Sequence, residues 1–445
     1  MFKSIIRNIK CFLFFLVLCA NHFLAEDLKD IYQLALSNDP LVKSAEASYR
    51  AGKESKKQGI AGLLPSINVS GSTSWNESRV EESLMDEYNS SNYSGTLSQP
   101  LFRLDKWFKF RQGKALSESA QAEFAYNQQE TMIRVASSYF AILNAIDGLS
   151  AAKAEEEAIG RQKDLAKKRF DVGLAPITEV HETQAAYDLT VVSRIAREGR
   201  LDSAREDLSS IIGTDIALLS PLSSNYPIDL PNPIQREQWV KLALENNYQL
   251  KAARLSQKAA KNSARASGSA HLPNIDIVGR VTKSTSKSGK FGGFIQNPFS
   301  GLETDNRQYA IQISMPLFAG GAISSNRRQA YALYDRSKEQ ALFTERSTIK
   351  NVRSNHFNVQ TQVANVKARK QALTSANSAL KATEVGYEAG TRNVVDLLQA
   401  QRGLYAAQRD FASARYDYII SVLRLKSSAG ILSPEDLINI SNWME

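Results

Sequence analysis

YEAGTRNVVDLLQAQ, Tyr387 to Gln401, decides how the rest of the chain is read, because FDVGLAPITEVHETQ, Phe170 to Gln184, repeats its design. In each copy an aromatic residue, Phe170 or Tyr387, stands three positions before a glycine, Gly173 or Gly390. A β-branched, acidic, aliphatic run follows, Thr178-Glu179-Val180 in the first copy and Val395-Asp396-Leu397 in the second. Glycine directly after a long helical pattern takes the left-handed conformation that ends a helix at little cost. Pro176 cannot continue a helix and suits the first turn of a new one, and Asn393 fits an N-cap. Each copy therefore predicts a tight turn between two antiparallel helices, the tip of a helical hairpin.

The helix leaving the second tip carries a heptad. Leu397, Leu404, Phe411, Tyr418 and Leu425 recur every seven residues, and Ala400, Ala407, Ala414 and Ser421 follow three later. Large residues facing small ones along a strict seam predict close coiled-coil packing, where an ordinary core-facing helix would show a broader stripe. Long helical patterns lead into each tip, Asp105 to Asp171 and Ala322 to Ala389. At 1.5 Å per residue each is roughly 100 Å long, more than a globular core can use. The return helices, Ile177 to Ile212 and Val394 to Ser428, cover about half that length. Leu41 to Leu63 and Leu250 to Ala270 are expected to supply the rest by stacking on them end to end. The irregular stretch Gly213 to Gln235 and the tail from Gly430 to Glu445 would then wrap the junctions.

The duplication extends beyond the tips. Leu34-Ala35-Leu36 matches Leu242-Ala243-Leu244, Leu64-Pro65 matches Leu272-Pro273, Gln99-Pro100-Leu101-Phe102 matches Met315-Pro316-Leu317-Phe318, and Gly213 matches Gly430. An offset of roughly 210 residues exceeds any solenoid period and points to two similar halves. Between each Leu-Pro and each Pro-Leu-Phe the periodicity falls to two: Ile67, Val69, Gly71, Thr73 and Trp75 alternate with polar residues, as do Tyr309, Ile311, Ile313 and Met315. Each half thus predicts two amphipathic strands, about 66–76 and 92–101, then about 274–283 and 307–317, joined by polar loops at Glu77 to Ser91 and Ser284 to Asn306. The pattern fits membrane barrel strands and also a half-buried soluble sheet. Phe102, Trp107, Phe108, Phe110 and Phe318 are candidates for an interfacial aromatic girdle, or for core.

Residues 1–25 carry Lys3, Arg7 and Lys10, an apolar run from Cys11 to Ala20, and Ala25 before Glu26 and Asp27, the plan of a signal peptide. A lipoprotein start at Cys19 is disfavoured by the bulky Leu18 before it. Both cysteines lie in this segment, so the mature chain would carry no thiol. Three of the nine net positive charges leave with the signal, and without a localised basic run the chain gives no reason to invoke nucleic acid. No later stretch is apolar enough for a membrane helix; a membrane site would have to be built from strands. Four strands cannot close a barrel. Two chains give eight strands, whose interior side chains nearly fill, and three give twelve, the smallest symmetric assembly with room for a channel.

On the signal, the duplicated helix-strand-strand-helix plan, the Gln/Met-Pro-Leu-Phe marks and above all RFDVGLAPITEV and YEAGTRNVVDLL, the chain resembles the TolC family of outer-membrane efflux and secretion ducts. The likeness covers essentially the whole mature chain. It implies a mixed membrane β-barrel and α-helical barrel of two tandem repeats, 26–229 and 230–445, with tips at about 170–180 and 387–397. It also implies a homotrimer forming a twelve-stranded barrel in outer-membrane lipid, continuous with a periplasmic helical tunnel. The partners implied are a periplasmic adaptor (membrane fusion) protein and an inner-membrane ABC or proton-driven pump. Residue by residue, the family's closed entrance aligns with Thr178, Glu179, Tyr387 and Arg392, and its two acidic rings align with Asp396 and with Gln399, where this chain lacks the second acid. The plainer reading is of exposed loop-end residues whose pairs are worth at most about 1 kcal/mol each.

Enzyme readings find no support in the residues. His22, His181, His271 and His356 are scattered, there is no HExxH, GxSxG, Cys/His cluster or GxxxxGK[ST], and no cofactor is implied. Glu155, Glu156 and Glu157 read as a solvated helix face. Two function classes remain: a passive export duct for type I protein secretion, drug efflux or both, and a periplasmic coiled-coil rod without a pore. An apolar strand face with nothing to cover it favours the duct.

Overall fold

Proline and glycine divide the chain into helices and strands where the patterns change. A computed structural model describes residues 25–80, 84–215, 218–288 and 303–444. The signal segment up to residue 24, with both cysteines, and residues 289–302 of the second polar loop lie outside the described residues. The order is α1 (Leu28–Asn38), α2 (Pro40–Ala61), β1 (Ser66–Val80), β2 (Leu84–Phe102), α3 (Leu104–Asp171), α4 (Ile177–Ile212), α5 (Arg236–Asn246), α6 (Tyr248–Gly268), β3 (Asn274–Ser288), β4 (Glu303–Ser314), α7 (Ala322–Glu388), α8 (Val394–Ser428) and α9 (Pro434–Ser441). No described helix is long and apolar enough to cross a membrane.

The contacts divide the chain into two compact units. The first comprises residues up to Ala47, Phe124–Tyr248 and Glu345–Glu445. Its core joins Val135, Ala136, Tyr139, Phe140 and Leu143 of α3, Leu208 and Ile212 of α4, Val352 and Val359 of α7, and Ile419, Leu423 and Leu425 of α8. The matched helices α1 and α5 dock on this core in the same way, through Leu28, Ile31 and Ala35 and through Trp239, Val240 and Ala243. The junctions are tied by polar groups. Tyr139 donates to the Ser220 carbonyl at 2.8 Å, Asp39 is buried and ion-paired with Arg134, and Asn247 donates to the Ser428 carbonyl at 2.9 Å. Within the tail, Ser433 and Asp436 form a capping box that starts α9.

Helix α8 buries more than its heptad seam. Leu397, Ala414, Tyr418, Ser421 and Leu425 are buried as the seam requires, and Leu398, Gln401, Tyr416, Ile419 and Leu423 are buried as well. The helix is held from two sides: Tyr416 donates to Asp147 of α3 at 2.6 Å, while Arg369 of α7 pairs with Asp410 at 2.8 Å. Of the three acids Glu155 to Glu157, the first two depart from the solvated face expected of them, while Glu157 is exposed as expected. Glu155 is half-buried, and burial pushes its carboxyl up against the opposing pull of Arg402, Arg409 and Arg197. Glu156 is bound by Arg194 at 2.6 Å. Packing against neighbouring helices, invisible in a run of three acids, decides this.

The second unit comprises Ser48–Glu123 and Gln249–Thr344. Its four strands form one antiparallel sheet in the order β1-β2-β3-β4. Facing residues share a side of the sheet, so Ile67, Leu97, Gly279 and Tyr309 form one cross-strand row and Asn68, Thr96, Arg280 and Gln308 the row behind it. The apolar side is uncovered: Val69 is 82% exposed and Tyr309 81%. The polar side is laced by hydroxyls, as in Ser70 to Ser94 at 2.8 Å and Ser74 to Ser90 at 2.9 Å. Pairing runs on through Glu77↔Glu87 to Val80↔Leu84, past the expected loop start at Glu77. Main-chain bonds need no apolar alternation, so the pattern faded before the strands did. Helices enter and leave the sheet tightly: Arg103 bridges Asp105 at 3.1 Å and Asp276 at 3.3 Å, and α2 and α3 approach so closely that a Cβ on Gly113 would stand 2.2 Å from the Ser55 carbonyl.

Candidate functional site

Both tips close by the same backbone device. At the first, Gly173 has φ +76° and the Leu174 N–H reaches back to the Arg169 carbonyl at 2.7 Å. At the second, Gly390 has φ +72° and the N–H groups of Thr391 and Arg392 converge on the Gly386 carbonyl at 2.9 and 3.1 Å. A residue with a Cβ would pay a steric cost at either left-handed position. Asn393 is the N-cap of α8 and accepts from the Asp396 N–H at 2.8 Å. Pro176 stands at the N-cap of α4, one residue before the first turn expected of it.

The two tips meet through side chains. Val394 and Leu398 of α8 are buried against Ile159 and Ala186, with Tyr187 and Tyr387 packed on the cluster. This holds the Tyr387 hydroxyl between two charges: it donates to Glu179 Oε1 at 2.5 Å and accepts from Arg169 Nη1 at 2.7 Å. The Arg169 guanidinium also lies 5.2 Å from the centre of the Tyr387 ring, and its Nη1 stands 3.8 Å from Glu179 Oε1. Burial, then the carboxylate of Glu179, pushes the phenol up to about 12, so it is a firm donor at neutral pH.

Of the six positions singled out in the sequence, Tyr387 and Glu179 are in direct contact. Arg392 and Asp396 form a separate exposed pair at 3.7 Å, while Thr178 and Gln399 are exposed at the surface of the tips. Arg169 was missed. The signal was available in the repeat itself: where the first copy reads Arg169-Phe170 the second reads Gly386-Tyr387, so one tip supplies the cation and the other the hydroxyl.

The sequence profile described as "Outer membrane efflux protein" matches residues 31–214 and again 239–431. The chain belongs to the outer membrane efflux protein family. It is 32% identical over 417 residues to the outer membrane protein TolC of Vibrio cholerae, covering 94% of this chain and 93% of that one. It is 30% identical over 442 residues to the alkaline protease secretion protein AprF of Pseudomonas aeruginosa, covering 97% and 90%. In fold it is similar to the outer membrane protein VceC of Vibrio cholerae, with a TM-score of 0.75 at 18% identity over 91% of this chain and 96% of that one.

Family membership gives the uncovered sheet face its place. The chain is an outer-membrane channel for export, with its strands in the membrane and its helices in the periplasm. A rod without a pore leaves that apolar face unexplained, and the reading is set aside. The family is one of channels and not of known enzymes. Among the described residues no group of three or more His, Cys, Asp or Glu is placed to hold a metal.

Proposed function

We propose that three copies of the chain close one barrel and that the paired tips form its periplasmic gate. The observation that carries the assembly is the four-stranded sheet, whose edge strands β1 and β4 are each paired on one side only among the described residues. An open edge in lipid costs several kcal/mol per unpaired backbone group. Three copies close the circle with twelve strands and leave room for a channel, which two do not. The polar, hydroxyl-laced side then lines the lumen and the apolar side meets lipid. The repeats 26–229 and 230–445 are the units of this design, each supplying one strand pair and one tip.

The gate is a latch within each chain and a charged rim between chains. Tyr387, Glu179 and Arg169 tie the second hairpin to the first; Arg392 and Thr178, exposed at the tips, are placed to meet a neighbouring chain. Hydrogen bonds to charged groups contribute roughly 1.5–3 kcal/mol each, so the threefold latch outweighs the exposed Arg392–Asp396 pair, worth well under about 1 kcal/mol. An inner-membrane ABC or proton-driven pump, joined through a periplasmic adaptor, supplies the energy, since nothing in a passive duct can. Relatives named for protease secretion and for antibiotic efflux support protein or small-molecule cargo. In planar bilayers, Tyr387→Phe with Arg392→Ser is expected to raise conductance several-fold; a variant that conducts like the parent puts the latch elsewhere. Crosslinking in membranes should stop at three chains, and a ladder ending at two rejects the twelve-stranded barrel.

A further inference from the structure

Just below the sheet, α3 and α6 enclose a cleft of about 300 Å³ that the export reading does not use. Arg111, Lys114, Lys258, Lys261 and Arg265 line it, over a floor of Ala115 and Asn262. Ala115 and Asn262 are buried while all five cations are exposed. Among the described residues one carboxylate answers them: Glu118 stands 4.0 Å from Lys114 and 3.9 Å from Lys258. Arg111, Lys261 and Arg265 have no carboxylate partner among the described residues. Like charges are brought together here at a cost that an anion would remove.

The position along the chain says which anion. Helix α3 begins two residues after β2 ends at Phe102, and Trp107 on its first turns is 44% exposed, as an aromatic at the lipid interface is. Arg111 and Lys114 follow Trp107 by four and seven residues, so all three share one helix face. At 1.5 Å per residue Arg111 lies about 6 Å and Lys114 about 10 Å beyond the tryptophan, the depth of the polar headgroup layer. The Arg111 guanidinium lies 5.9 Å from the Trp107 ring centre and that of Arg265 5.8 Å from Phe108, so both arginines of the cleft lining rest near an aromatic ring.

We propose that this cleft binds the phosphate of an anionic phospholipid in the periplasmic leaflet and so anchors α3 and α6 at the membrane surface. The lipid supplies one or two phosphodiester charges to the arginines and lysines, and its acyl chains continue up the apolar face of β2 and β3. This rests on the outer-membrane location of the sheet and on neither the gate nor the stoichiometry.

The test uses the full assembled protein, purified in detergent and examined by native mass spectrometry with added phosphatidylglycerol, phosphatidylcholine or inorganic phosphate. The wild type is expected to retain phosphatidylglycerol over phosphatidylcholine, and Arg111→Gln/Lys114→Gln/Lys258→Gln/Lys261→Gln to lose that preference by about tenfold or more. Equal retention of the two lipids by the wild type, or an unchanged preference in the variant, overturns the proposal. So does inorganic phosphate displacing the lipid at matched concentration, which would make the cleft a site for soluble anions. If the fourfold variant fails to assemble, the wild type decides alone: retention must weaken as salt is raised, and salt-insensitive retention rejects the phosphate contact.

Discussion

In the proposed latch the Tyr387 hydroxyl is both donor and acceptor: it donates a hydrogen bond to Glu179 and accepts one from Arg169. In an opened tip the phenol returns to water and its ordinary value near 10, while in the closed tip it is held up to about 12. Below about pH 10 neither state loses the proton and the latch is at full strength; between about 10 and 12 the open tip ionises first and gains. Conductance is therefore expected to rise over that window in the parent and to show no such step in Tyr387→Phe. Phe170, the repeat's counterpart of Tyr387, lacks the oxygen and cannot serve the same role. Asp396 argues differently. Its carboxylate pairs with Arg392, and three copies near the axis are expected to attract cations. Asp396→Ala should move the reversal potential toward that of an unselective pore, and an unchanged potential removes the acidic ring.

At the scale of elements, α8 shows how a seam differs from a wall. The heptad from Leu397 to Leu425 describes one contact stripe, yet the helix is gripped by α3 on one side and α7 on the other. The second stripe brings a polar group inside: Gln401 is buried, and its Oε1 has no hydrogen-bond partner among the described residues. An unsatisfied buried carbonyl costs about 1–3 kcal/mol, and Gln401→Leu keeps most of the volume. The variant is expected to melt at a higher temperature than the parent; a lower one would mean that the amide is bonded in the assembled state. Helix ends, by contrast, were readable residue by residue. Gly173, Gly390 and Asn393 stop and start helices by backbone chemistry that depends on nothing distant.

For the whole molecule the apolar side of the sheet is decisive. Ile67, Val69, Tyr309 and Ile311 are each exposed by two thirds or more, an arrangement that water penalises at roughly 25 cal/mol per Å² and that lipid does not. The protein should remain in the envelope pellet after carbonate or high-salt washing and should need detergent for release. Appearance in the soluble fraction would contradict the membrane assignment of the strands.

Matched segments by themselves determined the duplication, and periodicity the four long helices, the alternating strands and the two tips, because a 3.6-residue or two-residue repeat and a left-handed glycine are local consequences of backbone geometry. Tertiary structure alone decided which tip residues touch. Arg169, Glu179 and Tyr387 lie on different helices and are brought together by the docking of Val394 and Leu398 on Ile159 and Ala186. It also decided that Glu155 is half-buried and that five cations from α3 and α6 share one cleft. Such groupings depend on which helices become neighbours, and a helix carries no mark of its neighbours beyond the face it leaves apolar.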